Sequence, residues 1–281
     1  MTDDSVTPGP VTPSPVTPSP WNEWRRVTPA RLALGRAGTG LPTDEVLRFG
    51  WAHAMARDAV HAALDVGALA ADLVLQSWPA VTVTSRAPDR ATYLRRPDLG
   101  RRLAARDAET LRARAGAPCD ICLVIGDGLS ALAVARHAVP LLAALRPRLP
   151  GVRLAPAVVI ATQARVALAD EIADLMGARL AVMLIGERPG LSSPDSLGVY
   201  LTHAPFTGRS DAERNCISNI RPEGLDYAAA AVRLAWLAGA ALQRGLTGVG
   251  LKDESDTALP GAERAARDAL PPADPSGSPA S

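Results

Sequence analysis

The sequence has little cysteine, few aromatic rings and almost no lysine, and each shortage excludes something. Its three cysteines, Cys119, Cys122 and Cys216, are spread over 281 residues. That odd, sparse set argues against a disulfide framework and for a reducing compartment. Two Phe and three Tyr leave the core to Ala, Leu and Val, which an apolar content of 47% supplies amply. Lys252 is the sole lysine, and 30 basic residues face 29 acidic ones. Net charge therefore gives no support to nucleic acid or another polyanion as partner. The Arg and Ala excess reads as genomic base composition. No apolar run approaches the roughly 18 residues of a membrane span. The start, MTDDS, is acidic without an apolar segment, so no secretory signal is expected. These features together predict a cytoplasmic protein without a membrane segment.

Proline, by contrast, is concentrated. Residues 6–20 read VTPGP-VTPSP-VTPSP, a composition that favours extended, solvated chain and cannot bury a core. Residues 1–20 are expected to be a disordered arm, acting as a spacer or as a tether to a partner or compartment. Residues 21–115 read as mainly helical. A short helix is expected around Arg31–Leu34, closed by Gly35 and Gly38. A longer one begins with Thr43 as its cap and Asp44 and Glu45 in its first turn. It continues to Asp65 with one irregular turn at Gly50. His53 and His61 on it lack a nearby Glu or Cys for a metal cluster and read as ordinary residues. A short strand is expected at Val81–Thr84. A charged helix over Leu99–Ala115 follows Pro97 and Asp98. The arginines between Arg95 and Arg106 read as a solvated face, or as contacts for a phosphate or a partner's carboxylates.

From residue 116 to 248 the pattern becomes alternating strand and helix. Ile121–Ile125, Pro156–Ala161 and Leu180–Ile185 are apolar strands. They are separated by a helix from Ala131 that Pro140 restarts and by a helix over Leu168–Met176 that stops at Gly177. Such alternation predicts a parallel sheet with right-handed crossovers. Val199–Ala204 is a fourth strand candidate, DAERNCISNIRPEGLDY reads as turn-rich, and Tyr227–Leu242 as a strong helix. Residues 249–281 are expected to be a disordered tail with at most a short helix near 262–270.

This layout brings the loops Gly126–Ser130, Thr162–Val166 and Gly186–Gly190 to the carboxyl edge of the sheet, where ligands bind in open α/β folds. In the third loop, GERPG, Pro189 stiffens the chain and holds Glu187 and Arg188 in place. Asp127 and Ser130 in GDGLS are further crevice candidates, although GDGLS matches neither a Walker loop nor a dinucleotide fingerprint. Cys119 and Cys122 have redox spacing, but Cys122 falls inside a strand, so their role reads as structural. A triad of Ser130, His137 and an acid lacks the nucleophile elbow. Residue chemistry alone reaches an α/β domain whose ligand crevice is formed by three loops. A stand-alone hydrolase or nucleotide binder, and a non-catalytic scaffold, remain alternatives at this point.

Several motifs go further. YLRRPDLGRRL at 93–103, DICLVIGDGLSALAV at 120–134, LIGERPGLSSPDSLGVYL at 184–201 and DAERNCISNI at 211–220 stand with GRAG at 35–38 and LRF at 47–49. In this order and spacing, from about Trp24 to Gly248, they resemble the small subunit of ethanolamine ammonia-lyase. The pentads and the tail after about Gly250 fall outside. The resemblance implies a Rossmann-like α/β domain with a helical amino-terminal region, and adenosylcobalamin as cofactor. It implies a TIM-barrel large subunit as partner, six copies of each, and radical deamination of ethanolamine to acetaldehyde and ammonia. It places no catalytic group and no metal ligand on this chain. Val166, Glu187 and Cys216 match the family's cobalamin contacts. Glu187 would accept hydrogen bonds from corrin amides, Val166 would offer apolar contact, and Cys216 would pack or bond weakly beside them. RPDLGRRL and RRVTPARLALGRAG are the expected large-subunit contacts. The setting implied is the cytoplasm or a bacterial microcompartment within it.

Overall fold

The structure, a computed structural model, describes residues 16–28 and 30–255. The first two pentads, and the helix expected near 262–270, lie outside the described residues. The chain divides into two compact units, Met1–Asp58 with Gly190–Ser193, and Ala59–Pro189 with Pro194–Ser281.

In the first unit, the helix expected around Arg31–Leu34 does not form. Ala33 sits at φ 55° and Gly35 at φ 77°, and a left-handed residue interrupts a right-handed helix. A 3-10 turn at Asn22–Arg26 takes its place upstream. Thr17, within the third pentad, pairs with Arg36 through N···O contacts of 2.8 and 2.9 Å. Helix α1 (Thr43–His61) runs straight through Gly50 without the irregular turn expected there. A Cβ on Gly50 would meet nothing, so no packing demand distorts the helix. Arg25 pairs with Glu45 at 2.8 Å.

Helix α1 ends at His61 rather than at Asp65. Asp65 instead caps α2 (Val66–Leu75), accepting from the Ala68 amide at 2.9 Å. Strand β1 (Ala80–Thr84) follows. The single charged helix expected over 99–115 is three pieces: α3 (Arg90–Arg95), α4 (Pro97–Gly100) and α5 (Ala105–Arg114). Pro97 starts a new helix because it lacks an amide donor, and Leu103 turns inward at 1% exposure before α5 begins.

The remaining elements are β2 (Cys119–Gly126), α6 (Ala131–Leu145), β3 (Val158–Thr162), α7 (Leu168–Leu175), β4 (Ala178–Gly186), β5 (Leu197–His203), β6 (Asn215–Ile220) and α8 (Tyr227–Arg244). Pro140 does not restart α6. The helix continues through it, because burial of Leu141, Leu142 and Leu145 outweighs one lost backbone hydrogen bond. The sheet has six strands in the order β1-β3-β2-β4-β5-β6. The first four are mutually parallel. β5 pairs antiparallel with β4, and β6 antiparallel with β5, so the expected parallel sheet carries an antiparallel edge. No helix separates β4 from β5, so the chain turns back beside the strand it has left. The expected turn-rich stretch contains β6, whose Ile217 and Ile220 are buried. Of the tail expected from residue 249, Leu251 and Ser255 are buried, and the residues after 255 lie outside the described residues.

Burial on both faces explains the unbroken apolar runs. Leu123, Ile125, Val182 and Leu184 pack with Leu141, Leu142 and Leu234 of α6 and α8. Cys122, Val124, Ala181 and Met183 pack on the other side with Leu111 of α5 and Leu168 and Ile172 of α7. Cys119 and Cys122 are unpaired and buried, and desolvation pushes both thiols up in pKa, the reverse of a reactive cysteine.

At the amino end of the sheet, Asp120 accepts from the Arg153 side chain at 3.1 and 3.2 Å and from Arg179 at 3.3 Å. The Arg153 hydrogen bonds hold its pKa at about 2, below the ordinary 3.8. A depressed carboxylate stabilises the fold fully above its unfolded value and loses that contribution as pH falls through its folded value. The urea midpoint is therefore expected to fall from pH 4 towards pH 2 less steeply in Asp120→Asn than in the parent. Equal slopes would remove Asp120 from the acid response.

Candidate functional site

The strand order reverses between β2 and β4. The chain leaves β2 for β3 on one side and returns to β4 on the other, so their carboxyl ends diverge around a crevice. Two glycines allow the loops there to touch. Gly128 has φ 58°, and a Cβ on it would lie 2.2 Å from the Gly186 carbonyl oxygen. A Cβ on Gly186 would lie 2.0 Å from the Ser130 carbonyl oxygen. The Leu129 amide donates to Gly186 O at 2.9 Å across this contact. Above it opens a cavity of about 390 Å³ whose walls include Tyr93, Arg165, Val166, Glu187, Arg188 and Tyr200.

Val166 and Glu187, both expected at the site, thus line one cavity. Glu187 sits directly after β4, and its amide donates to Ser196 O at 2.9 Å. Its carboxylate accepts from Ser196 Oγ at 2.5 Å, Ser218 Oγ at 2.6 Å and the Asn219 amide at 3.3 Å. It lies over Gly198, where a Cβ would come within 2.8 Å of Oε1. One carboxylate therefore ties the end of β4 to β5 and β6. Three donors leave acceptor capacity on the two oxygens. Cys216 is not in the cavity wall. It pairs in register with Tyr200 and shares a strand face with Ser218. Although the residue is exposed, its thiol is crowded, and desolvation raises its pKa against a hydrogen bond with Tyr200.

The two further candidates lie elsewhere. Asp127 is 4% exposed and accepts from the Gln163 and Ala164 amides at 2.9 Å each, with Arg90 at 3.6 Å. It clamps the loop after β3 to the loop after β2, and burial raises its pKa despite these partners. Ser130 is fully buried as the cap of α6, and its hydroxyl donates to Pro194 O at 2.9 Å. His137 meets Tyr227 Oη at 2.8 Å through Nδ1, so no Ser–His pair forms. Among the described residues no group of three or more His, Cys, Asp or Glu is placed to hold a metal ion.

Sequence reasoning missed Tyr93 and Tyr200. Tyr93 is fully buried, donates to Ala164 O at 3.0 Å, and lies under two guanidinium groups. Arg165 is 4.2 Å and Arg90 4.7 Å from its ring centre. Burial lifts its pKa to about 12. Gly100 of the RPDLGRRL motif accepts from the Arg165 amide at 2.8 Å. A Cβ on Gly100 would press on Arg165 and Tyr93 at 2.8 and 3.1 Å. That motif therefore shapes the site from behind, while its Arg96 and Asp98 pair on the surface at 2.7 Å. A tyrosine preceding such a motif was the available signal.

Residues 18–252 match the family profile described as Ethanolamine ammonia-lyase light chain (EutC). The chain belongs to this family. It is 56% identical over 243 residues to the ethanolamine ammonia-lyase small subunit of Azotobacter vinelandii, covering 85% of this chain and 90% of that protein. The small subunit of Pseudomonas syringae pv. tomato is 55% identical over 240 residues, 84% of this chain and 83% of its own. That of Bradyrhizobium diazoefficiens is 55% identical over 239 residues, covering 84% and 91%. Both loops of the Gly128–Gly186 contact, and all three expected site residues, fall within the light-chain match. The first two pentads and the residues after 252 fall outside it. No helix among the described residues is long and apolar enough to cross a membrane.

Because Gly128 combines positive φ with a backbone neighbour, Gly128→Ala is expected to lower stability by more than about 1 kcal/mol, read from urea unfolding. An unchanged midpoint would show that the two loops need no such contact.

Proposed function

We propose that this chain is the small subunit of an adenosylcobalamin-dependent ethanolamine ammonia-lyase, supplying one wall of a cofactor site completed by the large subunit. The observation that carries this reading is the shared cavity of Val166 and Glu187 at the strand-order reversal of a mostly parallel α/β sheet, within a chain of the light-chain family.

The residues fit such a cofactor. Glu187 presents acceptor oxygens held by Ser196 and Ser218, suited to the amide rim of a corrin. Val166 is a half-buried apolar wall. Arg165 Nε is buried without a hydrogen-bond acceptor, a cost that a bound group would relieve. About 390 Å³ accommodates an edge or side arm of a corrinoid rather than the whole, as expected of one wall. When bound, adenosylcobalamin supplies the radical chemistry of the deamination. This chain's residues position it and exclude competing access. Glu187 orients an amide edge, Val166 excludes water, and Cys216 with Tyr200 borders the same strand face.

The small-subunit names of the relatives imply a large-subunit partner. The first unit supports one, since Trp21, Trp24, Leu47, Phe49 and Trp51 are exposed there, Trp51 at 70%. Exposed apolar side chains at this density mark an interaction surface. Six copies of each subunit, and a setting in the cytoplasm or a microcompartment, rest on the family resemblance.

Ethanolamine deamination with added adenosylcobalamin is expected from this chain mixed with its large subunit and from neither alone. No turnover and no co-purification in the mixture would overturn the reading. Within the active mixture, Glu187→Ala is expected to weaken adenosylcobalamin binding about tenfold or more, with helix content retained by circular dichroism. Unchanged affinity would remove Glu187 from the cofactor site.

A further inference from the structure

Among the described residues, two of the cavity's side chains, Arg165 and Arg188, carry charge that no carboxylate pairs with. Arg188 follows Glu187, is exposed, and has no hydrogen-bond or ion-pair partner among the described residues. Arg165 is held from behind. Its ring contact is with Tyr93, and its Nη2 donates to the Tyr93 carbonyl at 3.1 Å. Among the described residues no carboxylate pairs with it, and its buried Nε lacks an acceptor. Arg90, on the same tyrosine, differs because Asp127 faces it at 3.6 Å. Glu187, the acid in the cavity wall, directs its oxygens to Ser196, Ser218 and the Asn219 amide instead of to either arginine. The cavity therefore presents two guanidinium groups, one pre-positioned by stacking and one free to close on a ligand.

Guanidinium groups without a carboxylate select oxyanions, above all phosphate. In a cobalamin the corrin-bound cobalt is cationic and the side arms are neutral amides. The phosphodiester of the nucleotide arm is the anionic group. Two guanidinium groups against the one carboxylate of Glu187, whose oxygens are turned to Ser196 and Ser218, leave the cavity net cationic, which disfavours the metal centre and favours that arm. We infer that Arg188 and Arg165 form an anion subsite that holds the phosphodiester of the cofactor's nucleotide arm. Glu187 and Val166 then address the neutral rim beside it. This assignment rests on the cobalamin reading given above.

The test is equilibrium binding to the assembled complex of both subunits, monitored by the corrin absorbance, with two probes. Adenosylcobalamin carries the phosphodiester, whereas adenosylcobinamide keeps the corrin and lacks the phosphate and base. Arg188→Ala changes an exposed side chain, and its assembly with the large subunit is checked by size-exclusion chromatography. The expected result is an affinity for adenosylcobalamin about tenfold lower than in the parent complex, with adenosylcobinamide affinity unchanged. The loss for adenosylcobalamin should also shrink as salt rises. Equal losses for both probes would overturn the assignment and place Arg188 on the corrin. Unchanged affinity for both would overturn it as well. A parent complex that binds neither probe would instead remove the cobalamin reading itself, so the two failures are distinguishable.

Discussion

The close approach of the loops after β2 and β4 is the constraint on which the site depends. Gly128 and Gly186 bring two backbones together where any side chain would collide with a carbonyl oxygen at 2.2 or 2.0 Å. The Leu129 amide seals the contact at 2.9 Å. Everything functional is arranged relative to it. Ser130 starts α6 immediately beyond, Asp127 clamps the neighbouring loop from below, and Glu187 emerges on the residue directly after β4. Because that approach is made by backbone, it fixes Glu187 more firmly than side-chain packing alone would.

Around this point the molecule separates support from contact. Asp127, Ser130, Tyr93 and Gly100 are buried and satisfied mainly by the protein itself, so they shape the loops. Val166, Glu187 and Arg188 face outward from that frame. An open wall of this kind is what the proposed role, one side of a shared cofactor site, requires. Ser130 and His137, the nucleophile and base weighed from the sequence, are each engaged with other groups and form no pair.

Much of this was legible in the sequence. The strands from Cys119, Val158 and Ala178 show as apolar runs because both faces of the sheet are covered, and the turn residues after them announce the crevice. GERPG gave Glu187 its place at a strand end. What did not show was set by tertiary pairing. β6 is polar at Asn215, Ser218 and Asn219 because it is an edge strand, and its pairing with β5 is interrupted by a register shift. Asp127 and Ser130 read as crevice residues because position in a loop does not reveal direction, and both point inward. The charged segment after Pro97 broke into pieces because Leu103 had to reach the core. The Arg31–Leu34 helix failed because Ala33 and Gly35 take left-handed angles that Ala33, at least, does not advertise.

The most direct measurement is an experimental structure of this chain assembled with its large subunit and adenosylcobalamin. The account predicts cofactor atoms against Val166 and Glu187, at the carboxyl ends of β2 and β4, with Cys216 bordering them and the first unit's tryptophans covered by the partner. Cofactor density bounded by the large subunit alone, or by the opposite edge of this sheet, would contradict it.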